Sequence, residues 1–326
     1  MSDGDEIVLA AGILRTGGVV AFPTETVYGL GADALNAEAV QRIFTIKGRP
    51  TQHPLIVHLA DISQVQDWAR DIPAIAFDLA RQFWPGPLTL ILKRAAHVPD
   101  NVTGGQDTVG LRVPNHPVAL ELLRSFGSGI AAPSANRFGR ISPTTQAHVR
   151  AELGKAADAI LDGGPCAVGL ESTIVSLVGG EPVILRPGAI SPDALATVLG
   201  RKVSLNTVVD AVRAPGMLEQ HYSPQTLLRT IPTERLYQEV CGLLAFGRQV
   251  GVLEIERKQT LLPVLERGVH RYAMPVSPVD YARCFYATLR EADEARFDIL
   301  LVEQPPDEEA WLSINDRLRR ATHPPR

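Results

Sequence analysis

Residues 19–54 read VVAFPTETVYGLGADALNAEAVQRIFTIKGRPTQHP. The apolar run at 19–22 predicts a short strand, which ends at Pro23 in hydroxyl groups and a carboxylate instead of a glycine turn. Open α/β sheets bind their ligands at polar strand ends of this kind. Asn36 suits the N-cap of the helix that follows, and Gly48 suits its C-terminal stop. The stretch therefore indicates an α/β fold with a ligand site beside this strand.

Two cations lie at the end of the same helix. Lys47 comes four residues after Ile43, so it is expected at the core-facing edge of the helix. Arg49 follows in the extended conformation that Pro50 imposes on its predecessor. These cations either serve a ligand at the nearby strand end, or Lys47 complements the helix dipole while Arg49 is solvated. This stretch alone does not separate the two interpretations.

The composition is that of a soluble protein with two domains. A chain of 326 residues exceeds the size that one hydrophobic core usually serves. Hydrophobic residues make up 45% and charged residues 21% of the chain. No run of about 18 apolar residues exists and the N-terminus MSDGDEIVLA is acidic, so neither a membrane span nor a usual signal peptide is expected. The expected location is the cytoplasm.

Charge and cysteine content argue against two kinds of protein. Residues 1–200 carry 15 basic and 19 acidic side chains and the remainder carries 17 of each, so neither part has the basic excess of a dedicated nucleic-acid binder. The three cysteines are far apart and show no zinc-finger spacing. We expect reduced thiols and no metal held by the protein.

Apolar runs alternate with turn signals along the rest of the chain. Ser142 and Pro143 predict a helix start, and Ser191 and Pro192 predict another helix that Gly200 ends. Further helices are predicted at 6–16, 62–68, 75–83 and around 281–289, and strands at 55–59, 88–92, 108–113, 130–132, 170–177 and 183–188.

The hydrophobic periodicity fades after residue 200, which divides the chain. We predict one domain at 1–203, a linker or lid at 204–225 and a second domain at 226–326. In the second domain the apolar run 241–247, a helix and the strand 298–302 form a βα rhythm that is typical of a small parallel sheet.

Two predicted strands carry an unexpected polar residue. His58 is the one imidazole in an apolar run, and such a histidine is more often a satisfied core residue than a ligand. Arg112 lies inside another apolar strand, where a guanidinium needs an anionic partner or an open cleft.

Common catalytic motifs are missing or weak. The sequence has no P-loop and no nucleophile elbow. Residues 29–34 fit G-x-G-x-x-A, but the preceding strand ends at Phe22, too early for a dinucleotide fold. Several strand ends and turns instead carry hydroxyls, amides or cations. Such groups suit the positioning of a polyanion without a protein nucleophile: Thr24, Lys47, Arg49, Ser134, Asn136, Ser142, Ser172 and Arg186.

A family resemblance rests on motifs that occur in a fixed order. These are FPTETVYGLGADA, KGRPTQHPLIVHL, WPGPLTLIL, TVGLRVP, APSANRFGRISPT, ESTIV and ILRPG. Over residues 6–200 the chain strongly resembles the YrdC-like threonylcarbamoyl-AMP synthase family. PGMLEQHYSP and the segment from Gly242 through INDRLRRA resemble the linker and the extra domain of its longer branch. The resemblance implies a twisted mixed-sheet domain with an open cleft, followed by a smaller Rossmann-like α/β domain.

The resemblance also implies a reaction and its residues. Family members combine L-threonine, bicarbonate and ATP into L-threonylcarbamoyl-AMP and pyrophosphate, towards N6-threonylcarbamoyladenosine in tRNA. The catalytic positions would be Lys47, Arg49, Ser134 and Asn136. Threonine would contact Thr24, His58, Arg112 and Ser172. ATP, with Mg²⁺ on its phosphates, would contact Lys47, Thr51, Ser134, Ser142, Arg186 and Tyr222.

The chemistry of these residues agrees with those roles. Lys47 and Arg49 can offset the charge that develops when pyrophosphate departs, and Arg112 can form a bidentate pair with the threonine carboxylate. His58 either hydrogen-bonds threonine or helps to deprotonate its amine, and the sequence does not decide between these.

Two other functions compete with synthesis. The chain could be a module that binds double-stranded RNA or tRNA without turnover, although its charge balance predicts weak or no direct nucleic-acid binding. It could also be a small-molecule carrier or regulator that retains the cleft. As a synthase, its expected downstream partner is a complex that transfers the threonylcarbamoyl group to tRNA.

Overall fold

The computed structural model describes residues 3–205, 212–217, 222–257 and 268–322. The chain forms two compact units. The first consists of Met1–Phe138 and Ser142–Met217, and the second of Gly139–Ile141 and Leu218–Arg326. Parts of the linker predicted at 204–225, residues 206–211 and 218–221, lie outside the described residues. The domain bounds predicted from sequence stay predictions.

The first unit contains eight α-helices and eleven strands among its described residues. The helices are α1 (Asp3–Arg15), α2 (Ala37–Lys47), α3 (Val65–Trp68), α4 (Ala74–Phe83), α5 (Asp100–Thr103), α6 (Pro117–Phe126), α7 (Gln146–Leu153) and α8 (Pro192–Leu199). The strands are β1 (Val20–Phe22), β2 (Gly29–Asp33), β3 (Ile56–His58), β4 (Ala69–Arg70), β5 (Leu88–Arg94), β6 (Thr108–Arg112), β7 (Ile130–Ala131), β8 (Ala159–Ile160), β9 (Thr173–Ser176), β10 (Val183–Arg186) and β11 (Ser204–Leu205). Short 3₁₀ helices span Ile62–Gln64 and Gly154–Ala156.

These strands form one mixed sheet in the order β11-β10-β9-β5-β6-β3-β7-β2-β1-β8, with β4 paired to β5. In its middle, β3 runs parallel to β6 and antiparallel to β7. This confirms the predicted α/β fold with a twisted mixed sheet. The glycine-rich run at 29–34 lies largely in β2, so it is a strand and not a phosphate-binding turn.

Helix α2 forms as its caps predict. The Asn36 side chain accepts the N–H groups of Glu38 and Ala39, and Gly48 ends the helix with a left-handed φ of 62°. The helix packs Val40, Ile43 and Phe44 into the core. Lys47 lies on the same face, so its side chain is buried and not solvated.

The second unit contains a four-stranded parallel sheet in its described residues. Its strands are β12 (Leu228–Ile231), β13 (Val250–Ile255), β14 (Val269–Met274) and β15 (Ile299–Glu303), in the order β12-β15-β13-β14. Its helices are α9 (Thr233–Ala245), α10 (Pro278–Glu294) and α11 (Leu312–Ala321), with a 3₁₀ turn at Glu309–Trp311. Among the described residues, no helix is both long and apolar enough to cross a membrane.

Two predictions about elements are wrong. Helix α7 begins at Gln146 with Thr145 as its N-cap, not at Pro143 with Ser142. The Thr145 side chain accepts the N–H of His148, whereas the Ser142 hydroxyl donates to Glu171 (2.5 Å). The apolar run 241–247 is also no strand, because most of it belongs to α9.

Candidate active site

The turn after β1 is hydrogen-bonded to the chain around two other predicted site residues, Ser134 and Ser142. The N–H of Tyr28 donates to the carbonyl of Pro143 (2.9 Å), and the N–H of Ala135 donates to the carbonyl of Tyr28 (2.8 Å). The Thr24 hydroxyl donates to the carbonyl of Val27 (2.7 Å) and accepts that residue's N–H (3.2 Å). Thr24 therefore shapes the turn, and its predicted contact with threonine stays a prediction.

Lys47 binds the segment that carries two other predicted catalytic residues. Its side chain is buried, and Nζ donates to the carbonyl oxygens of Ser134 (2.6 Å) and Asn136. The N–H of Phe138 donates back to the carbonyl of Lys47 (2.8 Å). Thus the end of α2 and the chain at 134–138 are joined three times. The structure brings Lys47, Ser134 and Asn136 together although about 90 residues separate them.

Burial makes the charge of Lys47 costly. Desolvation lowers the pKa of its ammonium group well below the ordinary value, and the nearby charge of Arg49 lowers it further. Glu152 acts in the opposite direction. An anionic ligand close to Nζ would favour the charged form, so the site is electrostatically suited to phosphate.

Arg49 is the second buried cation beside this segment. One guanidinium nitrogen donates to the carbonyl of Pro54 (3.0 Å), and the guanidinium carbon lies 5.7 Å from the centroid of the Phe138 ring. Both contacts fix the direction of the side chain. By contrast, Thr51 is exposed in the turn that follows, so its predicted contact with ATP rests on the resemblance alone.

His58 and Arg112 face each other across two parallel strands, where β3 and β6 pair them directly. Burial, followed by the charge of Arg112, lowers the pKa of His58 to about 3, so its imidazole is neutral at ordinary pH. Its ring packs edge-to-face on Phe22. Among the described residues Nδ1 has no hydrogen-bond partner. One ring nitrogen of His58 is therefore buried without a well-formed hydrogen bond, which is uncommon in a protein core.

Glu25 is the anion that the sequence analysis did not assign to Arg112. Its Oε2 lies 2.7 Å from Nη2 of Arg112, and both side chains are about 95% buried. Neither carboxylate oxygen forms a hydrogen bond of good geometry with a described residue. The short distance therefore indicates an ion pair without a well-aligned hydrogen bond. Coulomb attraction depends little on angle, so the two charges attract each other at this distance. Arg112 also donates to the carbonyl of Gly86 (3.3 Å).

Ser172 and Arg186 form a third group at the ends of β9 and β10. Two guanidinium nitrogens of Arg186 donate to the carbonyl and the hydroxyl of Ser172, each at 3.1 Å. The third donates to the carbonyl of Pro215 (3.0 Å), which ties the chain at 212–217 to the site. The Ser172 hydroxyl also lies 2.7 Å from that of Thr89.

Tyr222 belongs to the second unit. It is buried there, stacked on Tyr286, with the guanidinium of Arg317 5.3 Å from its ring centroid. Its backbone has a left-handed φ of 65°, which is uncommon for a residue other than glycine. Its predicted contact with ATP stays a prediction.

Two family models match almost the whole chain. The model described as "Telomere recombination" matches residues 12–188, and the one described as "Threonylcarbamoyl-AMP synthase, C-terminal domain" matches residues 190–322. The chain belongs to the threonylcarbamoyl-AMP synthase family. This confirms the resemblance drawn from the motifs, including its longer branch with the extra domain.

Individual members of the threonylcarbamoyl-AMP synthase family are similar over nearly their full length. The protein of that name from Pyrococcus abyssi is 38% identical, with 97% of this chain and 94% of the relative covered. The one from Bacillus subtilis is 41% identical, with 97% and 92% covered. A crystal structure of Pyrococcus abyssi Sua5 complexed with L-threonine superposes with a TM-score of 0.89 at 37% identity, covering 98% of this chain and 94% of the other.

Three residues that were not predicted from the sequence reach the site through other side chains. Glu25 pairs with Arg112, Phe138 packs on Arg49, and Glu171 accepts the Ser142 hydroxyl. Glu25 had one usable signal, since it is a carboxylate at an apolar strand end. The other two are ordinary in sequence, and only the fold brings them to their partners.

Proposed function

We propose that this chain forms L-threonylcarbamoyl-AMP and pyrophosphate from L-threonine, bicarbonate and ATP, as a nucleotidyltransferase. The observation that carries the proposal is the buried Lys47, whose Nζ joins the carbonyls of Ser134 and Asn136. The names of relatives that cover nearly the whole chain at 38–41% identity support the same reaction.

Electrostatics gives Lys47 and Arg49 their role in this proposal. Transfer of the adenylyl group makes the α-phosphate region more negative while pyrophosphate leaves. Two fixed, desolvated cations interact with that charge more strongly than cations in water do. They also need no reorganisation during the reaction, because hydrogen bonds and the Phe138 ring already hold them.

Threonine is proposed to bind between Arg112 and the groups around Ser172. Its carboxylate would pair with Arg112, which requires Glu25 to share or release that cation. His58 would hydrogen-bond threonine, because a pKa of about 3 makes it a weak base in the unliganded protein. Thr24 completes the proposed threonine contacts.

Four residues besides Lys47 and Arg49 are proposed to contact ATP: Arg186, Ser142, Thr51 and Tyr222. Arg186 is held by Ser172 and by Pro215, in the segment 212–217. That segment would act as part of a lid that shields the labile mixed anhydride from water. Ser142 is buried beside Glu171. Thr51 and Tyr222 are proposed from the resemblance alone.

Magnesium is proposed as a part of the MgATP substrate. The described residues contain no group of three or more His, Cys, Asp or Glu side chains that could hold a metal. Mg²⁺ usually binds substrate phosphates and keeps several waters. A site with cationic side chains is therefore compatible with an ion that the triphosphate itself binds. When bound, it would neutralise phosphate charge.

The product is proposed to pass to a separate complex that modifies tRNA. The alternative, a module that binds double-stranded RNA or tRNA without turnover, has no supporting observation. The chain has 32 basic and 36 acidic side chains, which is unfavourable for strong phosphate binding.

Mass spectrometry of the product tests the proposed reaction. Purified protein should form a species with the mass of threonylcarbamoyl-AMP when threonine, bicarbonate and MgATP are all present. Omission of any one of the three should abolish it. Release of AMP or ADP without that species would instead indicate another nucleotide-dependent reaction and remove the proposal.

A further inference from the structure

Residues 139–141, which begin three positions after Asn136, belong to the second unit. Residues 139–141 have no regular secondary structure, so their position depends on contacts with other segments. The N–H of Ser223 donates to the carbonyl of Gly139 (2.9 Å), and the guanidinium of Arg290 donates to the carbonyl of Ile141. Gly139 has a φ of 78°, which turns the chain at this point.

Asp293 provides a third attachment through the side chain of Arg140. Arg140 Nη2 lies 3.1 Å from Asp293 Oδ2, and the two side chains are 27% and 10% exposed. The same carboxylate accepts the N–H groups of Gln225 (2.9 Å) and Thr226 (2.8 Å). Asp293 thus joins two segments that are distant in sequence: the one that follows Asn136 and the one that follows Tyr222.

The location of Asp293 on its helix indicates a dedicated role. It lies at the C-terminal end of α10, where the helix dipole disfavours a carboxylate. Three donors offset that cost by satisfying most of the acceptor capacity of the carboxylate.

We propose that Asp293 is a positioning residue for the loop that carries Ser134 and Asn136. Lys47 holds the start of this loop at 134 and 136, and the second unit holds its end at 139–141. Displacement of a catalytic group by about 1 Å can lower turnover about 100-fold. Asp293 would thereby affect the reaction without itself touching substrate. The proposal rests on the proposed function.

A matched control exists in the same unit. Asp298 also accepts a backbone N–H, from Gln249 (2.7 Å), and pairs with an arginine, Arg248 (3.5 Å), but this pair does not involve residues 139–141. Asp293→Asn and Asp298→Asn therefore remove the same chemical group from the same unit. Arg140→Gln breaks the Arg140–Asp293 pair at its more exposed residue. It replaces Asp293→Asn in the test if that variant folds poorly.

The experiment measures pyrophosphate release and amide hydrogen exchange of the full chain. Asp293→Asn and Arg140→Gln should each lower kcat about 10-fold or more, leave KM for threonine within about 2-fold, and speed exchange at 136–142. The double variant should be no worse than the poorer single variant, since both remove one pair. Asp298→Asn should keep kcat within about 2-fold.

Equal losses in Asp293→Asn and Asp298→Asn, or wild-type kcat and exchange in Asp293→Asn, would overturn the proposal. Should the wild-type chain release no pyrophosphate from the three substrates, the proposed function fails. The exchange measurement then decides the positioning role by itself: faster exchange at 136–142 supports it, and unchanged exchange refutes it.

Discussion

Lys47, His58 and Arg112 are three buried groups that most cores would exclude. The C-terminal end of α2 places Lys47 in the candidate site. The paired ends of β3 and β6 place His58 and Arg112 side by side. Proteins commonly accept the cost of such burial at functional sites, where it shifts pKa values and fixes charges in direction.

The burial of His58 predicts a loss of stability in acid. Its pKa is about 3 in the folded chain and about 6.5 when unfolded, so between these values only the unfolded chain binds the proton. Stability is unaffected above pH 6.5 and falls as the pH decreases towards 3. At pH 4.5 the loss from this residue is about 3 kcal/mol.

Urea unfolding at pH 7.5 and pH 4.5 measures this loss. In His58→Asn, the decrease in unfolding free energy between the two pH values should be about 3 kcal/mol smaller than in the wild type. An equal decrease in both proteins would mean that His58 titrates normally in the folded state.

The Glu25–Arg112 pair predicts a strongly non-additive pair of substitutions. Arg112→Gln leaves the Glu25 carboxylate buried without its cation, which should cost about 3 kcal/mol of unfolding free energy. Glu25→Gln in addition removes the stranded charge, so the double variant should be more stable than Arg112→Gln alone. Thermal or chemical unfolding of the four proteins completes the cycle. Simple additivity would show that the two side chains do not interact energetically.

The helices whose ends carry local capping residues could be predicted best from the sequence. Helix α2 and helix α8 begin and end at the predicted caps, because the side chains of Asn36 and Ser191 bind the first N–H groups locally. The start of α7 departs from the local signal at Ser142. Ser142 donates to Glu171, and the carbonyl of Pro143 accepts the N–H of Tyr28, so tertiary contacts hold both residues ahead of the helix. Both partners are distant in the chain, so they overrule the local capping preference.

The segment 212–217 is the element through which the lid can be tested. Ala214 lies in an apolar cluster on the sheet, with Val212 and Met217 packed against it. Ala214→Asp would bury an unpaired carboxylate, which the segment can avoid only by leaving the sheet. Because Arg186 is anchored on Pro215, we expect KM for ATP to rise about 10-fold or more while the first unit stays folded.

Ala189→Asp is the matched control for this segment, because Ala189 is exposed in the same unit. It should keep the wild-type KM for ATP. Limited proteolysis should cut Ala214→Asp near 212–217 faster than the control. Equal KM values for the two variants would contradict the idea that this segment supports the nucleotide site.

At the scale of the whole molecule, the site consists of segments that the fold brings together. The turn after β1 reaches Arg112 through Glu25 and the loop after β7 through Tyr28. Sequence motifs identified most of these segments, since each carries unusual polar residues. They could not reveal the pairing of Glu25 with Arg112, or that 139–141 belongs to the second unit, because tertiary contacts alone determine both.

Pyrophosphate release by Lys47→Met tests the central claim most directly. Methionine keeps the apolar volume of the lysine stem, and removal of a buried charge offsets the loss of two hydrogen bonds, so folding should change little. With threonine, bicarbonate and MgATP, this variant should release pyrophosphate at least about 100-fold more slowly than wild type, whereas Lys155→Met, which removes an exposed lysine, should match wild type. Wild-type release by folded Lys47→Met would contradict the account.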